Sequence, residues 1–440
     1  MAEQKNLAQC CDGLLFLNIF KTFRTAIQPA RILTAFFALT LLFVAGWQMD
    51  FSKTVIVSGK VTRQDLGTSE LTGSLTWPTE LHCFVGAPER FEGYIERYKD
   101  KPYKQGVFKV WSSFCIARLN RAAASIAVLR FDNFVTSLSE CILAAVWALK
   151  YHTLYSIILF VIALILFSAA GGAICRGAAL QFSRDERCGI TPCIKFALKK
   201  FISLFCAPLA PMIFIAVCGL VVLVFGLIAN IPWAGEILLA IAFIFVLIAG
   251  LCMALAIIGA AGGINLMPSV IVYENSDAFD AVNKSCSYVY TKPWRFSFYA
   301  LLAAVYGAVC YLFVRFFAFL MLAVSRLFLS IIIWTDGSKA ERLNKLDVIW
   351  PKPEFFNLLG DGLEISRNLT ESFAAGVIYL FVLVVTGLII AFVISFYFSA
   401  GTIIYCLLRN KIDNTPLDNV FIEAEQTAQL EQAQSDEQSG

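Results

Sequence analysis

Long apolar runs dominate the pattern of hydrophobic and polar positions along the chain. Six runs contain no Asp, Glu, Lys or Arg, and they cover residues 32–47, 153–174, 201–229, 237–264, 297–314 and 373–408. An α-helix needs roughly 20 apolar residues to cross about 30 Å of hydrocarbon, and a charge at the centre of such a helix costs about 2.5 to 3.5 kcal/mol. The runs therefore predict an all-α polytopic membrane protein with six transmembrane helices.

Amphipathic segments lead directly into three of these runs. Ile19, Phe20 and Phe23 recur at helical spacing before the first run, and residues 190–201 and 277–296 combine an apolar side with basic residues before the third and fifth runs. A helix of this kind lies in the membrane interface, with its apolar side towards the acyl chains. We therefore expect an interfacial helix before each of these three spans.

Small residues mark the ends of three spans, with FSAAGGAI at 167–174, GAAGGI at 259–264 and FSAGTI at 398–403. Together with the three interfacial helices they predict a pseudo-threefold internal repeat, in which each unit is an interfacial helix plus a hairpin. Small residues let helix backbones approach closely in lipid. We therefore predict a structural helix-packing role for Gly171, Gly172, Gly262, Gly263 and Gly401. The alternative is a lipid or solute cavity at the centre of the repeat, as in many transporters.

The segment 51–150, after the first run, is too long and too mixed in charge for a simple connection, and it predicts a small α+β extracytoplasmic domain. The sequence TVIVSGKVT at 54–62 favours a strand, and residues 107–130 favour an amphipathic helix. The apolar surface of that helix either rests on lipid or covers the sheet. Residues 137–149 are apolar but short and contain Glu140, which favours an interfacial or re-entrant helix over a span.

The fifth apolar run continues past Arg315 to Trp334, nearly twice the length that a span requires. Arg315 lies where a span beginning near Ser297 would leave the membrane. The sequence therefore predicts that the crossing ends there, and that residues 316–334 form a second helix on or near the outer surface. A seventh span is the alternative for these residues.

Basic residues indicate the orientation of the spans. Lys and Arg recur in residues 1–31 and between the second and third runs, whereas the short turn 230–235 has none. Cytoplasmic loops carry an excess of Lys and Arg, so both basic segments are predicted to be cytoplasmic, and six spans place both termini on that side. The Gln-, Glu- and Asp-rich sequence from residue 414 onwards predicts disorder.

These features divide the chain into seven predicted regions. They are a cytoplasmic interfacial helix (1–31), transmembrane helix 1 (32–50), the extracytoplasmic domain (51–150), transmembrane helices 2–5 with interfacial helices (151–334), an extracytoplasmic loop (335–372), transmembrane helix 6 (373–408) and a disordered acidic cytoplasmic tail (409–440).

Composition argues against a soluble fold, and the sequence contains no motif typical of a catalytic, metal or cofactor site. Of the 440 residues 59% are hydrophobic and 15% charged, and the net charge of +3 is too small to indicate a nucleic-acid partner. The two histidines, His82 and His152, belong to no metal or catalytic motif, and the sequence has no nucleophile elbow, phosphate loop or dinucleotide fingerprint. The six runs lack the ionisable residue that a proton-coupled carrier usually needs. We therefore expect neither an enzyme nor a cofactor or metal site.

The 14 cysteines are spread along the chain. Cys83 and Cys115 fall in the predicted outer domain, where a disulfide between them is chemically permitted, and Cys141 is the alternative partner. Cys188 and Cys193 lie five residues apart in a predicted cytoplasmic loop without a nearby histidine, which argues against a metal site.

Three segments of the sequence resemble those of a known group of membrane proteins. The AAGG span ends, PSVIVYENSDAFDAVNKSCSYVYTKPWRF at 268–296 and SFYFSAGTIIYCLLR at 395–409 resemble uncharacterised bacterial multi-pass membrane proteins of planctomycete type. More distantly they resemble the membrane domain attached to some glycerophosphodiester phosphodiesterases. Catalysis in those enzymes resides in a separate soluble barrel with essential histidines and carboxylates, which has no counterpart in this sequence. The resemblance therefore implies a bacterial cytoplasmic (inner) membrane and no phosphodiesterase activity.

The sequence thus predicts a non-enzymatic scaffold or accessory component that contacts membrane lipid or other membrane proteins. The alternative is a permease or lipid-handling protein with a cavity between the helical repeats. A cavity lined by polar residues at the repeat axis would favour the permease, and a filled apolar centre would favour the scaffold.

Overall fold

The computed structural model describes residues 15–59, 77–100, 103–128, 130–231, 234–337, 344–360 and 368–421. Its α-helices are α1 (Lys21–Ala26), α2 (Pro29–Met49), α3 (Glu80–Gly86), α4 (Phe91–Tyr98), α5 (Val107–Ala127), α6 (Phe131–Tyr151), α7 (Thr153–Arg184), α8 (Ile190–Lys199), α9 (Phe201–Ala229), α10 (Ala234–Gly263), α11 (Met267–Glu274), α12 (Ala278–Thr291), α13 (Pro293–Ile332), α14 (Lys345–Ile349) and α15 (Leu369–Ile412). Short 3-10 helices cover Leu15–Phe20 and Pro88–Arg90. Strands β1 (Val55–Ile56) and β2 (Lys104–Gln105) pair antiparallel.

Seven of the described helices are long and apolar enough to cross a membrane: α2, α6, α7, α9, α10, α13 and α15. Six of these helices correspond to the six predicted runs, and α6 is the addition. Continuous apolar sequence forms helix because a helix satisfies its own backbone hydrogen bonds, which lipid cannot do. The chain therefore has the all-α, multi-pass membrane architecture that the sequence predicts.

Helix α6 is longer than the sequence predicts. It covers 21 residues, or about 31 Å at 1.5 Å per residue, whereas the apolar stretch behind the prediction is 137–149. Asp132 lies in its first turn, where a carboxylate stabilises the helix dipole. Glu140, the charge that argued against a span, is paired with Arg118 of α5 at 3.0 Å. The predicted short length of this helix is therefore wrong, and its placement as an interfacial or re-entrant helix stays a prediction.

Helix α13 continues without a break through 40 residues, or about 60 Å. The predicted separate helix over 316–334 is therefore wrong, and the end of the membrane crossing at Arg315 stays a prediction. Arg315 is only 5% exposed, and its guanidinium donates to the carbonyl oxygens of Phe355 (2.8 Å) and Phe356 (2.6 Å). Because a segment distant in sequence supplies these acceptors, the cation does not need water at this position and the helix continues past it.

The chain divides into two compact units. Unit 1 is drawn from Met1–Ala35, Phe167–Tyr306 and Ile394–Gly440, and unit 2 from Phe36–Leu166 and Gly307–Val393. Helices α2, α7, α13 and α15 contribute residues to both units. Each unit is therefore assembled from segments that are far apart in sequence.

The hydrophobic core of unit 2 joins β1 to helices α3, α4, α5 and α6. Its buried residues are Val55, Leu81, Phe91, Val107, Val110, Phe114, Ala144 and Trp147. Val107, Val110 and Phe114 belong to the apolar surface of the predicted helix 107–130, and all three are buried in this core. Of the two alternatives that the sequence left open, contact with lipid or covering of the domain, this burial favours the second. The predicted strand 54–62 is limited to β1 and a bridge between Val57 and Thr79, and residues 60–62 lie outside the described residues. Within the described residues of 51–150, strand is confined to these short pairings and most of the rest is helical.

Helices form at all three predicted interfacial positions in unit 1. Helices α1, α8 and α12 are each followed, after one or two residues, by the long helices α2, α9 and α13. Helices α9 and α10 form a hairpin that packs against α12. Sequence analysis missed α11, a short helix that packs against α9 and α12.

Candidate functional site

The second half of α7 forms the centre of unit 1. Nearly every residue from Ala170 to Gln181 is buried, and most of them are Ala, Gly or other small residues. Small side chains let neighbouring helices approach the backbone of α7 closely. The last part of α15, which includes Ala400, Thr402 and Tyr405, is equally buried. These two helix ends position the polar groups described below.

The five glycines that were predicted to pack between helices all lie in unit 1. A Cβ built on Gly171 would lie 2.6 Å from the ring of Phe398, and one on Gly401 would lie 2.5 Å from Asn265 Oδ1. The corresponding neighbours of the other three are Leu204 for Gly172, Val289 and Phe296 for Gly262, and Ser285 for Gly263. Each position thus has another part of unit 1 close to where a larger side chain would stand, which is the geometry that the predicted role requires.

Two buried arginines connect separate segments of unit 1. Arg31 is 4% exposed, and its guanidinium donates to the carbonyl oxygens of Thr25 and, at 2.6 Å, Gly177. Arg176 donates to the carbonyl oxygen of Phe421 at 2.9 Å. A buried cation is tolerated when its donors are engaged in this way. Sequence analysis used both arginines only as marks of orientation and missed these contacts.

A carboxylate at the end of α11 gathers donors from two other helices. Glu274 accepts a hydrogen bond from Tyr405 Oη at 2.6 Å, and Arg409 Nε lies 3.4 Å from the same carboxylate oxygen. Lys284 of α12 is in contact with the other carboxylate oxygen. Asn275 ends α11 in the left-handed conformation with φ +55°, and this turn places the carboxylate beside α12 and α15.

An open cleft of about 460 Å³ surrounds this carboxylate. It is lined by Tyr273, Glu274, Lys284, Arg409, Asp413, Thr415, Asn419 and Phe421. Two of the lining side chains are cationic and two are anionic, so their formal charges cancel. A cleft of this kind suits a polar ligand that carries charges of both signs.

Tyrosine rings form the wall beneath the cleft. Tyr288 stacks on Tyr405 with ring centroids 5.7 Å apart, and Tyr273 lies 5.5 Å from Tyr405. Burial raises the pKa of Tyr273 well above its usual value, and burial together with the hydrogen bond to Asp413 raises the pKa of Tyr288. Both hydroxyls therefore remain protonated donors at neutral pH.

Residues 413–421, here called the return segment, fold back over unit 1. Arg409 Nη1 donates to the carbonyl oxygen of Asn419 at 2.9 Å, and the Phe421 amide donates to the carbonyl oxygen of Tyr273 at 3.0 Å. The predicted disorder from residue 409 is therefore wrong up to residue 421, because backbone contacts that no local pattern records fix this part of the chain. The rest of the predicted tail, residues 422–440, lies outside the described residues.

The two histidines lie in unit 2 as parts of a buried hydrogen-bond arrangement. His152 Nε2 lies 2.9 Å from Glu80 Oε1, and the other oxygen of Glu80 accepts from the Ile56 amide at 3.2 Å. His82 Nδ1 lies 2.7 Å from the Thr79 hydroxyl. Within the described parts of the chain, no group of three or more His, Cys, Asp or Glu side chains is placed to hold a metal ion. These contacts give both histidines a structural explanation.

The predicted disulfide between Cys83 and Cys115 concerns the cysteines of unit 2. Cys83 and Cys115 are both free thiols. The Cys115 thiol forms a hydrogen bond with Cys141, and this bond, together with burial, raises the pKa of Cys115. The geometry therefore favours Cys141 as the partner of Cys115, and a Cys83–Cys115 disulfide stays a prediction.

Comparisons with known proteins do not assign a family to this fold. No protein-family model matches the chain. Searches of curated proteins and of solved structures likewise gave no match. The resemblance to planctomycete-type membrane proteins therefore stays a prediction, and function has to be argued from the geometry.

Proposed function

We propose that the protein is a non-enzymatic membrane scaffold whose α9–α10 hairpin associates with lipid or a partner protein in the membrane. The observation that carries this proposal is the exposed surface of the hairpin. In the most apolar 18-residue stretch of α9 none of the residues is buried, and in that of α10 6% are buried, against 33% in α7. So many apolar side chains require apolar surroundings, which acyl chains or another transmembrane helix supply.

The hairpin keeps its fold without using this surface. Helices α9 and α10 pack against each other and both contact α12, and the rings of Phe225 and Phe245 stack across the hairpin at 6.5 Å. Leu223 of α9 and Ile241 of α10 are 66% and 70% exposed. An apolar surface that the chain itself leaves uncovered is available for association.

Unit 2 carries a second apolar surface that supports contact with lipid. Helix α6 exposes a stripe at helical spacing that consists of Val135, Leu138, Ile142, Val146 and Leu149. After a single residue, His152, the chain enters α7, whose first residues include the exposed Leu154. An apolar stripe that is joined so closely to an apolar helix is typical of a segment at the membrane boundary.

Three buried hydroxyls of unit 1 support a scaffold over a permease. Ser269 donates to Thr402 at 3.2 Å, Thr402 donates to the carbonyl oxygen of Phe398 at 2.8 Å, and Ser395 donates to that of Ala26 at 2.8 Å. These buried hydroxyls hold helices together. Polar groups used in this way stabilise the fold instead of lining a path for a solute.

The proposal includes six spans with both termini in the cytoplasm of a bacterium, the pseudo-threefold repeat and a non-crossing α6. The basic residues of 1–31 and of the segment between α7 and α9 support this orientation. The packing of Ala144 and Trp147 in the core of unit 2 supports α6 as part of the outer domain. A membrane-impermeant maleimide added to intact cells should leave Cys188 unmodified, and labelling there would refute the orientation.

Photo-crosslinking tests the scaffold. A photoreactive amino acid at Leu223 should give discrete partner or lipid adducts in cells, because this position faces outwards. The matched position is Leu380 of α15, which is similarly exposed at 57% but lies outside the hairpin. The same adducts in the same yield at both positions would contradict a specific association through the hairpin.

The charged cleft favours a second candidate, a protein that handles lipids or polar solutes. Lys284 and Arg409 could bind a phosphate while Asp413 binds an amine, as a zwitterionic headgroup requires. Protein-dependent flux into proteoliposomes that is lost in Arg409→Met would support this candidate and overturn the scaffold. The control is Lys195→Met, which changes a lysine outside the cleft.

A further inference from the structure

Two pairs of cysteine thiols are in hydrogen-bond contact, and each pair lies within one unit. In unit 2 the Cys115 thiol contacts Cys141, and in unit 1 the Cys193 thiol contacts Cys188. All four cysteines are unpaired in the structure. Neither pair takes part in the proposed scaffold surface or in the charged cleft, so their chemistry needs a separate explanation.

An ion pair fixes the helices that carry Cys115 and Cys141. Helices α5 and α6 pack against each other, and Arg118 Nε lies 3.0 Å from Glu140 Oε2. Arg118 lies one turn after Cys115 on α5, on the same side of the helix, and Glu140 immediately precedes Cys141 on α6. The ion pair is almost completely buried on the arginine side and also involves Arg121 at 3.9 Å. The two thiols are therefore held next to each other by a fixed helix register.

The pair in unit 1 offers a natural comparison. Cys193 lies in the first turn of α8, and Cys188 lies just before that helix. Burial, followed by the hydrogen bond with Cys188, raises the pKa of Cys193 to about 12. The two pairs thus share the thiol–thiol contact and differ in the compartment to which the proposed orientation assigns them.

We propose that Cys115 and Cys141 form a disulfide in the cell, whereas Cys188 and Cys193 remain a dithiol. The first pair would face an oxidising compartment and the second the reducing cytoplasm, so the proposal rests on the orientation given under Proposed function. The link would join α5 to α6 beside the Arg118–Glu140 ion pair. It would also correct the predicted pairing of Cys115 with Cys83.

The oxidation proceeds by thiol–disulfide exchange with a disulfide-bearing oxidant of that compartment. The Cys141 thiolate attacks one sulfur of the oxidant, and the other sulfur leaves as a thiolate. The Cys115 thiol then loses its proton to solvent and attacks Cys141 in the mixed disulfide, which releases the second thiolate of the oxidant. Two cysteine thiols lose two electrons and two protons, and the disulfide of the oxidant is reduced to two thiols.

Cysteine 115 is the slower nucleophile of the pair. Its hydrogen bond to Cys141 and its burial both raise its pKa, which keeps it protonated at neutral pH. Since the thiolate is the reactive form, the first attack falls to Cys141. Cys115→Ser should therefore leave a mixed disulfide trapped on Cys141 when a disulfide reagent is added.

Peptide mapping of the full chain tests the proposal in cells. Cells are quenched in acid, free thiols are alkylated under denaturing conditions, and the unreduced digest is analysed by mass spectrometry. We expect a linked peptide that joins Cys115 to Cys141, with Cys188 and Cys193 fully alkylated. Cys83→Ser should leave the linked peptide unchanged. A link between Cys83 and Cys115, or free thiols at both Cys115 and Cys141, would overturn the proposal.

A second arm with purified protein separates geometry from orientation. Diamide added to the protein in mild detergent should link Cys115 to Cys141, because no compartment limits the oxidant. Absence of the link in this arm would show that the thiols are not adjacent, and the orientation would be unaffected. A link with diamide but none in cells would show that the pair faces a reducing compartment. That result would overturn both this proposal and the orientation.

Discussion

The α9–α10 hairpin and the buried second half of α7 are both apolar helices of unit 1, yet they have opposite surroundings. Almost no residue in the most apolar stretches of the hairpin is buried, whereas every residue of α7 from Ala170 to Gln181 is buried. Two glycines in the middle of the hairpin differ from Gly171 in the same way. Gly226 and Gly250 in the hairpin have no atom within 4 Å of a built Cβ, whereas Gly171 in α7 would meet Phe398 at 2.6 Å. Hydropathy therefore records that a helix avoids water but does not tell which apolar medium surrounds it.

Side-chain size distinguishes the two regions better than hydropathy does. The buried stretch of α7 is rich in Ala and Gly, whereas the exposed stretch of α9 is rich in Leu, Val, Ile and Phe. Bulky aliphatic side chains suit contact with acyl chains, and small residues suit contact between helices. Four predictions test this distinction, ordered from the largest expected effect to the smallest.

The strongest test compares two leucines on the same helix. Leu204 lies near the start of α9 against Gly172 and is 2% exposed, whereas Leu223 is 66% exposed. Leu204→Ala should lower the free energy of unfolding by about 2 to 5 kcal/mol, because it leaves a cavity. Leu223→Ala should change it by less than about 0.5 kcal/mol. Thermal unfolding in detergent measures both, and equal losses would remove the distinction between the regions.

Removal of a buried arginine should have the next largest effect. Arg176→Met leaves the carbonyl oxygens of Phe421 and Val272 without this donor, and should cost about 2 to 4 kcal/mol. The control is Arg187→Met, at an exposed position three residues after the end of α7. Limited proteolysis should also cut the return segment faster in Arg176→Met. Unchanged proteolysis would mean that the arginine does not hold this segment.

Glycine substitutions test the close approach of helices. Gly171→Leu should destabilise unit 1 by about 1 to 3 kcal/mol, since the side chain must displace Phe398. Gly226→Leu is the matched change in the hairpin, where no neighbour stands in the way, and it should be neutral or slightly stabilising because leucine favours helix. Similar melting temperatures for the two variants would argue against a packing role for Gly171.

The smallest effect concerns the tyrosines of the cleft. Burial raises the pKa of Tyr288 above its ordinary value of 10.0. The native state then holds its proton more tightly than the unfolded state, so the stabilisation is complete below pH 10.0 and is lost as the pH rises further. Tyr288→Phe should cost about 1 kcal/mol at neutral pH and should show a weaker decline of melting temperature above pH 10. An unaltered pH profile would assign that decline to other groups.

The sequence predicts those features of the fold that depend on solvent. The six charge-free runs became helices, and so did the amphipathic segments before α2, α9 and α13, because periodicity records which side of a helix avoids water. The predictions that were wrong concern residues whose contacts lie far away in the sequence. A second helix was predicted after Arg315, whereas α13 continues through this residue, whose guanidinium donates to the carbonyl oxygens of Phe355 and Phe356.

The candidate site was predictable only in part for the same reason. The packing glycines were visible as small residues at repeated positions, but the cleft required Glu274, Lys284 and Arg409 to meet from three helices. Nothing local marks Glu274 as a partner of Tyr405. In α6 the charge of Glu140 was noticed, but nothing local indicates that it pairs with Arg118 of α5.

The division of unit 1 among three distant chain segments also sets the order in which the protein can mature during synthesis. A ribosome that has completed α12 has delivered Arg176 and Glu274, but Phe421, which accepts a hydrogen bond from Arg176, and Tyr405, which donates one to Glu274, do not yet exist. The nascent chain must wait in the membrane with these two hydrogen bonds unformed. We therefore expect that unit 1 reaches its final fold only after α15 has been synthesised. Chains that terminate before α15 should be removed by the cell's quality control.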